Sequence, residues 1–143
     1  QLRKFEGQFD KVIFAQGLEF FRKEGPLLKK FRWALKPGGR LFLSTWTPAL
    51  IEGASSVRVD RDMVYVRKVQ DTTQIRVFCR FRTESQIRQA LIKAGFRGVV
   101  VETIQIRSQR LPRAIKQLFG RKFVGPDRKI RVLIVAMAEK PFN

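Results

Sequence analysis

The stretch FDKVIFAQGLEFF, residues 9–21, decides how the rest of the sequence is interpreted. The apolar run from Lys11 to Ala15 is typical of a strand that is buried on both faces of a sheet. The polar turn that follows contains Gln16, Gly17 and Glu19, at a position where many α/β proteins build a site. Only eight residues precede the stretch, which leaves no room before it in this sequence for the rest of such a site.

A helix and a second strand follow this stretch. The helix is predicted to begin at Pro26, because proline fits the first helical turn, and to end at KPGG, residues 36–39. RLFLST, residues 40–45, is a second apolar run of strand length. A strand, a helix and a strand in this order form a βαβ unit, whose two strands are expected to be parallel.

The middle of the sequence predicts a β-hairpin. MVYVRKV, residues 63–69, and QIRVFCRF, residues 74–81, are rich in strand-forming residues and are separated by the polar turn QDTT, residues 70–73. Alternate side chains of a strand lie on opposite faces. The second run therefore predicts an apolar face, made of Ile75, Val77, Cys79 and Phe81, and a face of arginines and one ring, made of Arg76, Phe78, Arg80 and Arg82.

The last part of the sequence predicts another long helix and two strands. TESQIRQALIKAGF, residues 83–96, starts with a capping box formed by Thr83 and Gln86 and ends at Gly95. Strands are predicted at residues 98–106 and 129–140. A short basic helix is predicted between them, from Pro112 to Gly120.

The composition narrows the class of protein. The 143 residues include 30 Lys and Arg against 12 Asp and Glu, which gives a net charge of +18. A folded domain with this charge is expected to bind a polyanion; nucleic acid fits best, and an anionic membrane surface is the weaker alternative. No apolar run reaches the length of about 18 residues that a membrane span needs. With one cysteine and no histidine, we expect no metal site.

The order of the predicted elements resembles one known family. FDKVIFA, residues 9–15, then LKPGGRLFLS, residues 35–44, and then a helix ending in KAGF with two strands after it are similar to the C-terminal half of a class I S-adenosylmethionine-dependent methyltransferase, over nearly the whole chain. The resemblance implies an α/β fold with a partial Rossmann-like sheet of the family's strands four to seven, in the order four, five, seven, six, and flanking helices. It also implies a single truncated domain over residues 1–143, with a β-hairpin insertion at residues 47–82 and a basic helix with loops at residues 107–129.

The resemblance further implies which part of the family's site is missing. The family holds its cofactor with a glycine-rich turn after strand one, an acidic residue after strand two and a polar residue after strand three, and this sequence contains none of those strands. Gln16, Gly17 and Glu19 are then the rim of half a pocket, although a solvated position at a strand–helix junction is the favoured interpretation for Glu19. We expect the chain alone to bind no cofactor, and S-adenosylmethionine to bind only if an N-terminal half is supplied.

A few further residues favour a structural role over a chemical one. Asp60 and Asp62 are interpreted as turn residues beside a strand rather than as paired catalytic carboxylates. Cys79 lies on the apolar face of its predicted strand and has no histidine to activate it, so we expect a core thiol. Trp46 either stacks on a base or a cofactor ring or packs at the end of the sheet.

Two groups of basic residues are expected to contact RNA. The first group surrounds the short basic helix and its loops and consists of Arg107, Arg110, Arg113, Lys116, Arg121, Lys122, Arg128 and Lys129. The second group is the arginine face of the hairpin, which either stacks on unpaired bases or covers a neighbouring element, and its arginines are Arg76, Arg80 and Arg82.

Three functions are compatible with these patterns. The favoured hypothesis is a non-catalytic, RNA-binding structural component of a ribonucleoprotein, such as a mitochondrial ribosomal protein that binds rRNA and has a degenerate methyltransferase fold. This hypothesis implies an intracellular location, and in particular the mitochondrial ribosome. The alternative is a fragment or subunit of an active S-adenosylmethionine-dependent RNA methyltransferase. A lipid-linked or small-molecule methyltransferase fragment is the third, and it leaves the charge of +18 unexplained.

The strand from Lys11 to Ala15 is expected at one edge of the sheet, by the same resemblance. The backbone N–H and C=O groups on its outer side then have no partner within the chain, and the strand carries apolar side chains on both faces. Folded proteins cover or charge such an edge. We therefore expect a neighbouring protein chain, RNA or a further part of the same protein to cover it.

The charge pattern predicts a steep salt dependence of RNA binding. If about six phosphates are neutralised, the logarithm of the affinity falls with the logarithm of the salt concentration at a slope of roughly −4 to −5. Joint replacement of Arg110, Arg113, Lys116 and Lys122 by neutral residues is expected to flatten this slope, as measured by fluorescence anisotropy with labelled RNA. An unchanged slope in that variant would move the RNA contacts elsewhere, to the hairpin face first.

Overall fold

A computed structural model describes residues 5–49, 57–60, 63–67, 74–107, 110 and 129–142. In chain order the elements of these ranges are β1 (Phe9–Ala15), a single 3₁₀ turn (Leu18–Phe20), α1 (Glu24–Ala34), β2 (Leu35–Trp46), β3 (Val57–Asp60), β4 (Met63–Arg67), β5 (Gln74–Phe78), α2 (Glu84–Lys93), β6 (Arg97–Arg107) and β7 (Lys129–Glu139).

Four of the strands form one sheet in the order β1-β2-β7-β6. β1 and β2 are parallel, whereas β7 is antiparallel to both β2 and β6. This is the order that the resemblance implies, four, five, seven, six. The predicted fold class, a partial Rossmann-like sheet with flanking helices, is therefore confirmed.

Both helices pack on the same face of this sheet. Leu28 of α1 and Leu91 of α2 are fully buried, in one cluster with Leu41 and Leu43 of β2 and Ile134 of β7. Full burial of one such side chain stabilises the fold by about 1.5–3 kcal/mol. Apolar residues at every second position of β2 and β7 thus hold the helices to the sheet.

The junction between α1 and β2 differs from the sequence prediction. α1 begins at Glu24, two residues before Pro26, and β2 begins directly at Leu35, which is already extended with φ −73° and ψ 143°. KPGG therefore lies within β2, as an irregular segment between Leu35, which pairs with Phe9, and Arg40, which pairs with Lys11. Gly38 has φ +74°, and a Cβ on it would lie 2.6 Å from the ring of Phe142, so the position requires glycine.

The middle strands form a separate three-stranded sheet in the order β3-β4-β5. β4 and β5 pair antiparallel, as the two strands of a hairpin do, and β3 adds a strand that the sequence did not predict. β5 ends at Phe78, so the predicted strand over residues 74–81 is three residues too long. The turn at residues 70–73, Asp62 and the predicted basic helix from Pro112 to Gly120 lie outside the described residues.

The capping box of α2 forms as predicted. The Thr83 side chain accepts a hydrogen bond from the Gln86 backbone N–H, and the Gln86 side chain accepts one from the Thr83 backbone N–H. At the other end Gly95 has φ +89°, a conformation that glycine adopts without strain. Both ends of α2 are thus determined by local sequence.

We expect Thr83→Ala to lower the free energy of unfolding by about 1 kcal/mol, because the Gln86 backbone N–H at the start of α2 loses the Thr83 hydroxyl that accepts from it. The measurement is urea unfolding followed by circular dichroism. Ser85→Ala is the control, since Ser85 is an exposed residue of the same helical turn that does not cap it. Equal stability of the two variants would contradict the assignment of Thr83 as the cap.

Candidate functional site

The carboxyl ends of β1 and β2 carry a cluster of polar residues in a constrained backbone. Gln16 directly follows β1 and has φ +51°, a region that non-glycine residues enter at a cost in free energy. Its backbone N–H donates to the carbonyl of Ser44 in β2 at 2.9 Å, which holds the turn against the neighbouring strand. Gly17 follows, and a Cβ there would lie 2.9 Å from the ring of Phe14.

Glu19 is buried, so the favoured interpretation of it as a solvated residue is wrong. Its residue is 1% exposed, because the 3₁₀ turn directs Leu18 and Glu19 inward and the Arg80 backbone N–H donates to the Glu19 carbonyl at 2.7 Å. Oε2 of Glu19 accepts a hydrogen bond from Thr45 Oγ1 at 2.9 Å. Oε1 is buried and has no hydrogen-bond donor among the described residues. An unsatisfied buried carboxylate oxygen costs free energy, and the fold retains one here.

Arg82 is also buried, which corrects the prediction that it contacts RNA from the hairpin face. β5 ends before it, so the alternation that placed it outward does not extend to Arg82. Its guanidinium donates to the carbonyls of Leu18, Arg80 and Phe21 at 2.7–2.9 Å and to Glu24 Oε2 at 2.9 Å. Arg82 therefore links the end of the hairpin segment to the connection between β1 and α1, which contains Glu19.

Two titratable groups next to this cluster have shifted pKa values. Burial raises the pKa of the Cys79 thiol to about 11, and the nearby Glu19 carboxylate adds to the rise. Cys79 is therefore no thiolate near neutral pH, which agrees with the expected core thiol. Burial alone would raise the pKa of Glu24, but hydrogen bonds from its own backbone N–H and from Arg82, together with the charge of Arg82, lower it below 4.5.

Only part of the predicted basic surface falls within the described residues. Arg107 and Lys129 are exposed and lie opposite each other as a cross-strand pair of β6 and β7, and Arg110 is exposed. The structure therefore brings the first and the last members of the predicted group together. The remaining members lie outside the described residues: Arg113, Lys116, Arg121, Lys122 and Arg128.

The described part of the hairpin face contacts a neighbouring segment of the chain, which is one of the two alternatives that the sequence left open. Arg80 is exposed, and its guanidinium donates to the Arg22 carbonyl at 3.2 Å. The Arg22 guanidinium lies 5.0 Å from the centre of the Phe78 ring, a cation–π contact. Phe78 is thus already stacked by a residue of the β1–α1 connection. The side chain of Arg76 lies outside the described part of the structure.

An open cavity of about 620 Å³ lies at the carboxyl end of β2, on the helix side of the sheet. Its lining includes the hydroxyl groups of Thr47, Thr83, Ser85 and Thr103 together with Arg131. Glu84 is the acidic residue of the lining, and its carboxylate accepts a hydrogen bond from the Thr103 hydroxyl. Hydroxyls and one guanidinium are groups that bind phosphate oxygens.

The described residues contain neither a metal site nor a membrane span. No group of three or more Asp, Glu, Cys or His residues within them is arranged to hold a metal ion. None of the helices seen in these ranges has the length and apolarity needed to cross a bilayer.

The described residues do not form a complete site for S-adenosylmethionine. The orphaned Oε1 of Glu19 suits a hydrogen-bond donor that the described chain does not supply. No glycine turn leads from a strand toward this point within the described ranges, and the glycine at the turn, Gly17, is packed against Phe14. A bound cofactor therefore needs further contacts from elsewhere.

We expect Arg82→Met to lower the free energy of unfolding by about 3–5 kcal/mol, because it removes four hydrogen bonds and leaves Glu24 unpaired. Arg88→Met, which removes one exposed hydrogen bond to the Val99 carbonyl, is the matched control and is expected to cost under about 1 kcal/mol.

The folded-state pKa of Glu24 is lowered, so its attraction to Arg82 stabilises the fold above pH 4.5 and is lost on acidification. The penalty of Arg82→Met is therefore expected to shrink as the pH falls below 4.5 in urea titrations. A penalty no larger than that of the control would contradict this role.

Comparison with known proteins agrees with the architecture. No protein-family model matches the sequence, and no curated protein is similar enough to it to count as a match. Among solved structures, an S-adenosylmethionine-dependent methyltransferase from Mesorhizobium loti is similar with a TM-score of 0.56 and 18% identity, and covers 97% of this chain and 67% of that chain. A methyltransferase from Methanosarcina mazei has a TM-score of 0.61 and 15% identity, and covers 96% and 62%. Phosphoethanolamine N-methyltransferase 2 from Haemonchus contortus has a TM-score of 0.54 and 14% identity, and covers 96% and 35%. The chain spans about two thirds or less of the length of these structures. It therefore has a partial S-adenosylmethionine-dependent methyltransferase fold.

Proposed function

We propose that this chain is the RNA-facing part of an S-adenosylmethionine-dependent RNA methyltransferase, and that polypeptide outside these 143 residues supplies the cofactor-binding strands. Methyl transfer is proposed because of the fold, and RNA is proposed as the substrate because of the charge of +18. The single observation that carries catalysis over a purely structural role is the buried Glu19 carboxylate with an unpartnered oxygen.

The unpartnered oxygen of Glu19 costs the folded chain free energy. A structural remnant gains nothing from a buried carboxylate oxygen without a donor, and drift to an uncharged residue would relieve the cost. The strained Gln16 lies three residues away, at the end of the same strand. Unsatisfied polar groups and backbone strain are typical of functional sites, where a ligand completes the interactions. Both features support a site at the carboxyl ends of β1 and β2.

The mechanism assigns positioning roles to residues of this chain. S-adenosylmethionine, when bound, supplies a methyl group that its positively charged sulfonium makes electrophilic. Thr45 fixes the Glu19 carboxylate through one oxygen, which leaves Oε1 to accept a hydrogen bond from a donor group brought to this end of the sheet. Arg107, Lys129 and Arg131 contribute positive charge for the RNA phosphates.

The second candidate is a non-catalytic RNA-binding component of a ribonucleoprotein, such as the mitochondrial ribosome with its rRNA. It is favoured by the net charge together with the incomplete cofactor site. In both candidates a neighbouring polypeptide covers the edge of β1, where Ile13 is 76% exposed and where, among the described residues, β1 pairs with β2 alone.

Transfer of tritium from labelled S-adenosylmethionine to RNA distinguishes the two candidates. The chain, purified with its natural partners, is expected to transfer tritium, and Glu19→Gln is expected to reduce the rate by at least about tenfold. This variant removes the negative charge and has a single side-chain oxygen, so the position facing Thr45 and the free position cannot both keep an acceptor. Glu102→Gln, at an exposed position of β6, is the matched control and is expected to leave the rate unchanged.

The other outcomes are equally informative. Tight, salt-dependent RNA binding without any transfer of the tritiated methyl group would contradict the proposed activity and support the structural candidate. The isolated 143-residue chain is expected not to bind S-adenosylmethionine in calorimetry, and specific micromolar binding by it would contradict the claim that the cofactor-binding strands come from elsewhere.

A further inference from the structure

The cavity at the carboxyl end of β2 contains a carboxylate that is held in place and only half satisfied. The cavity volume of about 620 Å³ lies in the range of pockets that bind small ligands. Glu84, the first residue of α2, lines it, and Oε1 of Glu84 accepts a hydrogen bond from the Thr103 hydroxyl of β6. The other oxygen of this carboxylate accepts no hydrogen bond from the described part of the chain. It is therefore available to a hydroxyl or an N–H group of a ligand.

A guanidinium lines the same cavity, next to an irregularity in β7. The register between β6 and β7 shifts by one residue, because Ile104 pairs with Leu133 whereas Gln105 pairs with Arg131. Val132 is the extra residue of β7. An extra residue of this kind re-aims the neighbouring side chain, and the Arg131 side chain lines the cavity.

Thr47 holds this irregular segment against the end of β2. Its hydroxyl donates to the Arg131 carbonyl at 2.8 Å, and its backbone N–H donates to the Val132 carbonyl at 3.2 Å. Thr47 itself is 3% exposed. The backbone that carries Arg131 is thus fixed from within the chain, which prepares the guanidinium for a ligand at low entropic cost.

The cavity lies beside the candidate site around Glu19. Thr45 donates to Glu19, and Thr47 lines the cavity. Both threonines are buried on the same face of β2, since side chains two residues apart lie on one face of a strand. Two residues of a strand span roughly 7 Å. A ligand in the cavity is therefore next to the end of the sheet where methyl transfer is proposed.

The chemistry of the lining selects among ligands. A guanidinium binds phosphate oxygens, whereas a carboxylate repels them and accepts hydrogen bonds from hydroxyls. A bare phosphate or a DNA strand can use only the guanidinium. A ribonucleotide can use both groups, because a ribose 2′-hydroxyl donates well to a carboxylate and distinguishes RNA from DNA at such a contact.

We propose that this cavity binds one ribonucleotide of an RNA strand. The free oxygen of Glu84 accepts a hydrogen bond from the ribose 2′-hydroxyl, and Arg131 contacts the adjoining phosphate. Glu84 is then the residue that selects RNA over DNA, and Thr103 is its positioning residue. This inference rests on the proposed function for the choice of RNA as the substrate.

Position and charge argue against two other sources of a ribose. S-adenosylmethionine carries one, but the cavity is lined by α2, β6, β7 and the segment after β2, and no residue of β1 lines it. The polypeptide proposed to supply the cofactor-binding strands covers the edge of β1, away from β6. A free nucleotide would occupy the cavity but would leave the net charge of +18 unexplained.

The test compares RNA with DNA of the same sequence. Binding of labelled single-stranded oligonucleotides to the full 143-residue chain is measured by fluorescence anisotropy at one salt concentration. The chain is expected to bind RNA at least about tenfold more tightly than DNA. Glu84→Ala is expected to reduce this ratio at least about fivefold, because the 2′-hydroxyl loses a charged acceptor.

Two further variants separate the two contacts. Thr103→Val is expected to reduce the ratio in the same direction as Glu84→Ala, because Glu84 loses the hydroxyl that positions it. Arg131→Gln is expected to weaken RNA and DNA binding by a similar factor and to reduce the salt slope by about 1, as a phosphate contact does.

Glu102→Ala is the matched control. Glu102 is an exposed carboxylate of β6 outside the cavity lining, so this variant changes the net charge equally and is expected to leave the ratio unchanged. Circular dichroism establishes that Glu84→Ala is folded. Glu84→Gln, which keeps the size of the side chain, takes its place if it is not.

The remaining outcomes would overturn the proposal. Equal affinity of the unmodified chain for RNA and DNA, or a ratio that Glu84→Ala leaves intact, would overturn it while RNA binding and the proposed function stand. Competition with the RNA by S-adenosylmethionine or by a free ribonucleoside monophosphate at micromolar concentration would overturn it by assigning the cavity to another ligand. Absence of any RNA binding would overturn both this inference and the proposed function.

Discussion

The parallel pairing of β1 with β2 is the constraint on which the rest of the structure depends. Two parallel neighbours cannot be joined by a tight turn, so the chain needs a crossover, and α1 is that crossover. Its position determines which face of the sheet is buried, and α2 packs on the same face against the same cluster. The carboxyl ends of β1 and β2 then meet at one end of the sheet, where Gln16, Glu19 and Thr45 come together.

The described sheet ends at β1, so the backbone groups on the outer side of this strand have no hydrogen-bond partner in the sheet. β1 has a hydrogen-bonded neighbour on one side only in the described sheet. The cluster around Arg82 has the opposite character, because four of its hydrogen bonds are made within the chain. The Glu19 carboxylate is only half satisfied, because Oε2 accepts a hydrogen bond from Thr45 and Oε1 accepts none from the described residues. A partial methyltransferase fold agrees with the unpaired edge of the described sheet and with the unpartnered oxygen of Glu19.

The parts of the fold that depend on local sequence were predictable. The βαβ unit follows from two apolar runs around a helix, and the capping box of α2 follows from Thr83 and Gln86 alone. The positions of Glu19 and Arg82 were not predictable in this way. Glu19 is buried by a single 3₁₀ turn, and Arg82 by a strand that ends at Phe78, four residues before it. Both then depend on contacts between segments about 60 residues apart, such as that of Arg82 with Leu18, which no periodicity indicates.

Amide hydrogen exchange on the isolated chain tests the central claim, an incomplete sheet, most directly. In a parallel strand at an edge, every second backbone N–H points away from the neighbouring strand. The account predicts fast exchange at alternate amides of β1, slow exchange along β7 between its two neighbours, and slow exchange throughout β1 once its natural partner is bound. A monodisperse monomer in which all amides from Val12 to Ala15 exchange as slowly as those of β7 would contradict it.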